Sequence, residues 1–145
     1  MKYLAVLEWG PHNYSAYIPD VPGCIATGKT VTQTAQHLSE ALSGFLEGET
    51  PPPVQTLSAD GLELAQGDEV AWIEPAPQNP VSLELARVMI AKGLSGAEVA
   101  RRMGLPRQVV SRMINPFYWG HSVSSLRRFA EAVGGTLEVR VEVAA

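Results

Sequence analysis

The stretch from residue 95 to residue 112 constrains the fold more than any other part of the chain. It contains Ala100, then Gly104 four positions later and Val110 six positions after that. Two short helices that cross closely need a small residue at their contact, and the turn between them needs a residue that tolerates positive φ. An apolar residue on the second helix must then pack back onto the first. The spacing therefore predicts a pair of short helices, one on each side of Gly104.

Helical spacing of apolar residues continues on both sides of this pair, whose helices are expected to end near Met103 and Ile114. An earlier helix is predicted between a cap at Asn79 and Gly93, with an expected buried side of Leu83, Ala86, Val88, Met89 and Ile90. A later helix should begin after Ser122 and end at the glycine pair 134–135, with an inward side of Val123, Leu126, Phe129, Ala130 and Val133. Residues 136–143 then alternate between apolar and polar side chains, which predicts a strand.

The N-terminal half has a different pattern. Short apolar runs separated by turn-forming residues predict three strands, at residues 2–9, 14–18 and 24–28. Thr30 and Gln33 form a capping box before a helical run of apolar residues that ends by Gly48. A fourth strand is predicted at residues 69–74, so the expected order is β-β-β-α-β.

Three prolines between residues 75 and 80 predict a linker. We therefore expect an α+β protein with a first domain at residues 1–75, a linker at 76–80 and a helical second domain at 81–145 that ends in a strand. The capping pair of Ser95 and Glu98 marks the start of the first helix of the close pair, and Pro106 opens the second.

The two halves differ in charge. Residues 1–79 carry two basic and ten acidic residues, for a net charge of −8. Residues 80–145 carry nine basic and five acidic residues, for a net charge of +4. Opposite net charges indicate two different partners, although ordinary solvation of two surfaces explains the same split.

In a helix-turn-helix, the second helix of the pair enters the major groove of DNA by its N-terminal end. The side chains expected to reach bases are Arg107, Gln108, Ser111 and Arg112, because arginine can pair bidentately with guanine and glutamine with adenine. Phosphate contacts are expected from Arg101, Arg102 and Arg127. The alternative is an ordinary helical bundle whose exposed charges only keep it in solution.

Two stretches of this half, Ser95-Gly-Ala-Glu-Val-Ala-Arg-Arg-Met-Gly104 and Arg107-Gln-Val-Val-Ser-Arg112, resemble the Xre/Cro-type helix-turn-helix family. The resemblance extends from Leu83 to Leu137 and implies operator DNA as a partner. Pro106 departs from the family pattern, which often has a Ser or Thr cap at this position, so a side-chain cap is expected to be missing.

A strand with no partner in its own module leaves its backbone donors and acceptors unpaired. The simplest partner for residues 136–143 is the same strand of a second copy, so we expect a homodimer that reads a palindromic operator. The expected dimer contacts are Leu137, Val139, Val141 and Val143. Pairing of this strand with the N-terminal sheet is the competing explanation.

Three stretches of the N-terminal half resemble the HicB antitoxin family: residues 1–8, Tyr14–Cys24 with its sequence Tyr17-Ile-Pro-Asp-Val-Pro-Gly-Cys24, and Gly28–Ala35. The resemblance implies a partial RNase H-like fold that binds a HicA-type toxin, an mRNA-cutting ribonuclease, while the C-terminal module represses the operon. A basic RNA-binding surface is electrostatically complementary to an acidic inhibitor. The expected toxin contacts are Tyr14, Tyr17, Pro19, Asp20, Pro22, Gly23 and Cys24.

Two other functions remain open. A metal-dependent nuclease would need converging carboxylates, and the available ones (Glu8, Asp20, Glu40 and Glu74) are not placed within strand runs. A stand-alone transcription factor would instead use the N-terminal half to sense a small ligand. We expect no cofactor, no metal site and no membrane segment, and the lone Cys24 favours a reducing cytoplasm.

Overall fold

The computed structural model describes residues 1–144. The chain divides into two compact units, Met1–Pro77 and Gln78–Ala145. The first unit contains a four-stranded antiparallel sheet and a helix, and the elements of the second are helices, so the described part of the chain is α+β. None of the helices in these residues is long and apolar enough to cross a membrane.

The sheet of the first unit has the strand order β3-β2-β1-β4. Its strands are β1 (Tyr3–Trp9), β2 (Tyr14–Tyr17), β3 (Ile25–Gly28) and β4 (Glu69–Ile73). β1 pairs with β2 on one side and with β4 on the other, and its first five residues are buried. Together with the helix between β3 and β4, this arrangement confirms the predicted β-β-β-α-β order.

Helix α1 (Val31–Phe45) covers one face of this sheet. Its buried residues Leu38 and Leu42 join a core with Tyr3, Ala5, Leu7, Ala16, Ile18 and Ile73. Thr30 caps the helix by accepting a hydrogen bond from the N–H of Gln33 at 3.0 Å. The side chain of Gln33 accepts from the N–H of Lys29, not from that of Thr30, so the reciprocal bond of the predicted capping box is shifted by one residue.

The second unit contains four helices among its described residues: α2 (Pro80–Lys92), α3 (Gly96–Met103), α4 (Arg107–Met113) and α5 (Val123–Ala132). Gly93 and Gly104 end α2 and α3 in the left-handed conformation, with φ of +65° and +69°. The core of this unit consists of Met89, Val99, Ala100, Met103, Val110, Met113, Phe129 and Val133.

Three residues predicted to face this core do not. Leu83 and Ile90 on α2 and Val123 on α5 are exposed, Ile90 to 81% of its surface. The buried line of α2 passes through Ser82 and Met89 instead, because those positions lie seven residues apart on one side of the helix. The predicted apolar side of α2 was therefore too wide.

The predicted strand at residues 136–143 is not formed within the described chain. A strand requires a ladder partner, and the four-stranded sheet draws its strands from the first unit alone. Val139, Val141 and Val143 are 70%, 83% and 88% exposed.

The expected linker at residues 76–80 contains structured residues. Ala76 is buried and donates its N–H to the carbonyl of Ser39 at 3.0 Å. Asn79 is also buried, and its side chain accepts from the N–H of Val81 as the cap of α2. Only Pro77 and Gln78 separate these two anchored positions.

Candidate nucleic-acid interface and partner surface

The contact between α3 and α4 depends on small and apolar residues. Ala100 and Val110 are buried, and the Cγ1 of Val110 lies 3.8 Å from the position that a Cβ on Gly96 would occupy. At the turn, the N–H of Leu105 donates to the carbonyl of Ala100 at 3.0 Å, which satisfies an acceptor at the end of α3. α3 also packs against α5, so it is held from two sides.

The outward side of α4 carries the four predicted base-reading residues. Val110 and Met113 face the core, and helical periodicity therefore turns the remaining polar positions toward solvent. Arg107, Gln108, Ser111 and Arg112 are all exposed. Neither arginine of this group forms a salt bridge within the described residues, since the ion pairs of this unit involve other arginines.

The start of α4 lacks a side-chain cap, as the proline at this position predicts. Pro106 has extended backbone angles of −62° and 151° and no side-chain hydrogen bond to the helix. Its carbonyl accepts from the N–H of Val109 at 3.1 Å. The helix begins at Arg107, so Arg107 and Gln108 occupy its first turn.

The arginines expected at phosphates are engaged with acidic residues of their own helices. Arg101 and Arg102 both bind the carboxylate of Glu98, at 2.6 and 3.1 Å. Hydrogen bonds from Arg101 and then Arg102 lower the pKa of Glu98 to about 2. Arg127 lies 3.6 Å from Glu131. All of these groups are at the surface, so a phosphate would compete with the carboxylates for the guanidinium groups.

A buried polar cluster fixes the loop between α4 and α5, and the sequence analysis did not identify it. The side chain of Asn79 donates to the carbonyl of Tyr118 at 2.9 Å and lies 3.3 Å from Nδ1 of His121. Nε2 of His121 lies 2.7 Å from the carbonyl of Met113 and 3.3 Å from the hydroxyl of Ser82. The cluster ties the first turn of α2 to the end of α4. The sequence indicated little of this cluster, because Asn79 was the one member with a predicted structural role, as the cap of α2.

In the first unit, Asp20 binds its own chain. Its carboxylate accepts hydrogen bonds from the N–H groups of Gln55 and Thr56, at 2.9 and 2.8 Å, and from the hydroxyl of Thr56 at 2.9 Å. Burial opposes the charged form, but these hydrogen bonds outweigh it and hold the pKa of Asp20 below its usual value. Asp20 therefore anchors the long loop before β4.

The predicted toxin-contact residues are not equally accessible. Pro22 and Gly23 are exposed, Gly23 with φ of +90°, while Tyr14, Tyr17 and Pro19 are half-buried. Cys24 belongs to the core, and burial raises the pKa of its thiol. Cys24 was predicted to contact the toxin. Its burial against α1 and the sheet corrects that prediction.

The sheet face opposite α1 carries apolar side chains that the sequence analysis did not assign to a surface. By register, Ile25 lies opposite Tyr17, Tyr17 opposite Val6, and Val6 opposite Val70. Trp72 shares this face, and Ile25, Val70 and Trp72 are exposed. In β4, exposed Val70 and Trp72 alternate with half-buried Ala71 and buried Ile73. This alternation was the sequence pattern that could have identified the face.

The carboxylates considered for nuclease chemistry do not form a metal site in the described residues, where no group of three His, Cys, Asp or Glu side chains is placed to hold an ion. Glu74 pairs instead with Lys2 at 3.4 Å. Glu8 is exposed on β1 and Asp20 is committed to the loop.

No family model matches the chain, and no curated protein matches it. Among solved structures, it is similar to a chain of a complex described as the HicA3 and HicB3 toxin-antitoxin complex. The two chains are 23% identical, the alignment covers 51% of this chain and 96% of the other, and the TM-score is 0.43. A similarity at this level does not establish a shared family.

Proposed function

We propose that this protein is an antitoxin that represses its own operon, with the second unit binding operator DNA as a helix-turn-helix. The single observation that carries the DNA-binding part is the surface of α4. Arg107, Gln108, Ser111 and Arg112 project into solvent from a helix whose other side is fixed by Val110 and Met113. A rigid helix with free bidentate donors at its first turn suits direct reading of base edges.

Charge supports the same assignment. The second unit has a net charge of +4 in an otherwise acidic chain. Arg101, Arg102 and Arg127 supply further positive charge near the helix pair, and exchange of their carboxylate partners for phosphates would add affinity without sequence preference.

The DNA-binding proposal is tested by gel-shift titration of the full chain on duplexes from the region upstream of its own gene. Arg107→Ala and Gln108→Ala should each weaken specific binding by roughly 1–3 kcal/mol. Arg87→Ala is the matched control, because Arg87 is exposed on α2 and, among the described residues, its salt bridge is to Glu84. Unchanged affinity in both α4 variants would refute the proposed reading surface.

The first unit is proposed to bind a HicA-type toxin and to have a partial RNase H-like fold, as the resemblance of Tyr14–Cys24 implies. Its net charge of −8 suits a partner whose RNA-binding surface is basic. Exposed Pro22 and Gly23, with the half-buried Tyr14, Tyr17 and Pro19, are the residues that remain candidates for contact.

Co-expression with a short basic protein encoded beside this gene, followed by co-purification, tests this part. Pro22→Lys should slow association, most strongly at low salt, because it adds positive charge against a basic partner. Pro53→Lys is the control, since Pro53 is also exposed. A protein that binds DNA but no neighbouring gene product would favour a regulator with a ligand-sensing first unit, for which α1 and β4 offer a groove of about 440 Å³.

A homodimer is proposed to form through residues 136–143, with Leu137, Val139, Val141 and Val143 at the contact. The backbone of this segment has no ladder partner among the described residues, and its valines are exposed. A two-fold dimer would present two copies of α4 to the two halves of a palindromic operator.

A further inference from the structure

The C-terminal segment has the side-chain arrangement of a strand although it is unpaired in the described chain. Arg140 Nη1 lies 3.5 Å from Glu142 Oε1, so these two side chains reach each other, as side chains two positions apart would on one face of a strand. Leu137, Val139, Val141 and Val143 occupy the alternate positions. As a strand, the segment would therefore have one charged face and one apolar face.

From this segment we infer the register of the dimer: two copies pair antiparallel with the two-fold axis at Val139, so that Glu138 of each copy lies opposite Arg140 of the other. The inference rests on the proposed homodimer. It adds to that proposal a specific alignment of the two strands and a specific pair of interchain charges.

Charge excludes the alignments centred on a charged residue. In an antiparallel pair, directly opposite residues share a face and interact. An axis at Arg140 would place the two copies of Arg140 opposite each other and Glu138 opposite the partner's Glu142. Like charges directly opposite are destabilising. An axis at Glu138 or at Glu142 likewise sets glutamate against glutamate.

Alignments centred on Leu137, Val139, Val141 or Val143 set no like charges opposite each other. Only those centred on Val139 and Val141 pair Arg140 with a glutamate of the partner, and the groove beside the segment selects between these two. Leu137, Glu138, Val139 and Arg140 line a groove of about 430 Å³ together with Val81, Leu85, Val123 and Leu126 of α2 and α5. An axis at Val139 lies at this groove and sets the partner's exposed Val141 opposite half-buried Leu137. Both apolar side chains are then covered. An axis at Val141 lies beyond the residues that line the groove and leaves Glu138 opposite Ala144.

Single-cysteine variants of the full chain measure the register directly. Val139→Cys should form an interchain disulfide on mild oxidation, because opposite Cα atoms lie roughly 4.5–5.5 Å apart, within disulfide range. Val141→Cys removes a valine from the same face, but its two copies would be four positions out of register, roughly 13 Å along the strands. The unmodified chain, whose Cys24 is buried, provides the background rate.

A charge variant gives an independent readout whose sign depends on the register. With the axis at Val139, Glu138→Arg sets the new arginine against the partner's Arg140 and should weaken the dimer roughly two- to thirty-fold. Adding Arg140→Glu to the same chain restores opposite charges and should recover affinity. With the axis at Arg140, Glu138→Arg would instead face Glu142 and strengthen the dimer, and with the axis at Val141 it would have little effect.

Sedimentation of the unmodified chain over a dilution series distinguishes a wrong register from the absence of the proposed homodimer. Faster cross-linking of Val139→Cys, with weakening by Glu138→Arg, supports the register. Faster cross-linking of Val141→Cys, or a strengthened Glu138→Arg dimer, overturns the register and leaves the proposed homodimer intact. A monomeric unmodified chain with no cross-linking above background overturns the homodimer itself, and the register with it.

Discussion

Helix α4 and the loop that follows β2 use their polar residues in opposite ways. On α4, Arg107 and Arg112 project outward and have no salt bridge within the described residues. In the loop, Asp20 turns toward its own chain and holds Gln55 and Thr56. A helix satisfies its backbone internally, so its outer side chains remain available for a ligand, whereas an irregular loop needs side chains to fix it. In this chain, Asp20 is therefore weaker evidence for a binding surface than the exposed arginines of α4.

The largest expected effect comes from disturbing the support beneath α4. Ala100→Leu adds bulk at a fully packed contact and should lower the free energy of unfolding by roughly 1–3 kcal/mol. DNA affinity should fall with it, because the position of α4 depends on that contact. Ala97→Leu, at an exposed position of the same helix, should leave both quantities nearly unchanged. Equal effects of the two variants in chemical denaturation would show that α3 and α4 are not closely packed in solution.

The next largest effect is expected from substituting Asp20. This substitution tests whether the loop after β2 uses its polar side chain for its own stability. Asp20→Asn removes the negative charge and one of the two acceptor oxygens, so the hydrogen bonds from Gln55 and Thr56 lose their charge assistance, which should cost about 1–2 kcal/mol of stability. Asp60→Asn, at an exposed position in the same long loop, is the control. If Asp20→Asn were as stable as the control but failed to bind the proposed toxin partner, Asp20 would be a contact residue and the contrast with α4 would not hold.

The pH dependence of the free energy of unfolding provides a second test of the role of Asp20. The pKa of Asp20 is lower in the folded protein than its usual value of 3.8, so the folded state binds fewer protons than the unfolded state in that range. The stabilisation is present above pH 4 and is lost as the pH falls through the lowered pKa. Denaturation at a series of pH values between about 2 and 5 should therefore show a steeper loss for the unmodified chain than for Asp20→Asn. Parallel curves would contradict the assigned role.

The smallest expected effect concerns the arginines beside α4. Glu98→Gln removes the charge that holds Arg101 and Arg102. The freed arginines should bind phosphates more readily, and the salt dependence of DNA binding should steepen by roughly one unit for each arginine that gains a phosphate. Glu84→Gln frees Arg87 on α2 and is the control. An unchanged slope for Glu98→Gln would place these two arginines away from the DNA.

The sequence predicted those parts of the fold that depend on neighbouring residues in the chain. The caps at Thr30, Asn79, Ser95 and Ser122 and the glycine ends of α2 and α3 were all identified, because each depends on a few adjacent positions. The outward side of α4 followed from the same local periodicity.

Features that depend on distant residues were not predicted. Asp20 binds Thr56, 36 positions away, and His121 lies 39 positions from Ser82. No local pattern specifies such contacts. The exposure of Ile90 likewise depends on which elements pack against it, because its residue type alone favoured burial. The alternation at residues 136–143 predicted a strand, but a strand also requires a ladder partner, which local alternation does not specify.

The short interval between Ala76 and Asn79 limits how this protein can be dissected or rebuilt. A protease site, a fusion joint or a spacer inserted between Pro77 and Gln78 leaves the hydrogen bond of Ala76 to Ser39 and the cap of α2 intact. A joint placed two residues later would leave Asn79 on the wrong piece and detach the loop that ends at His121 from the start of α2. Chimaeras that exchange one half of the chain should therefore be joined between Ala76 and Asn79, where both halves keep these contacts.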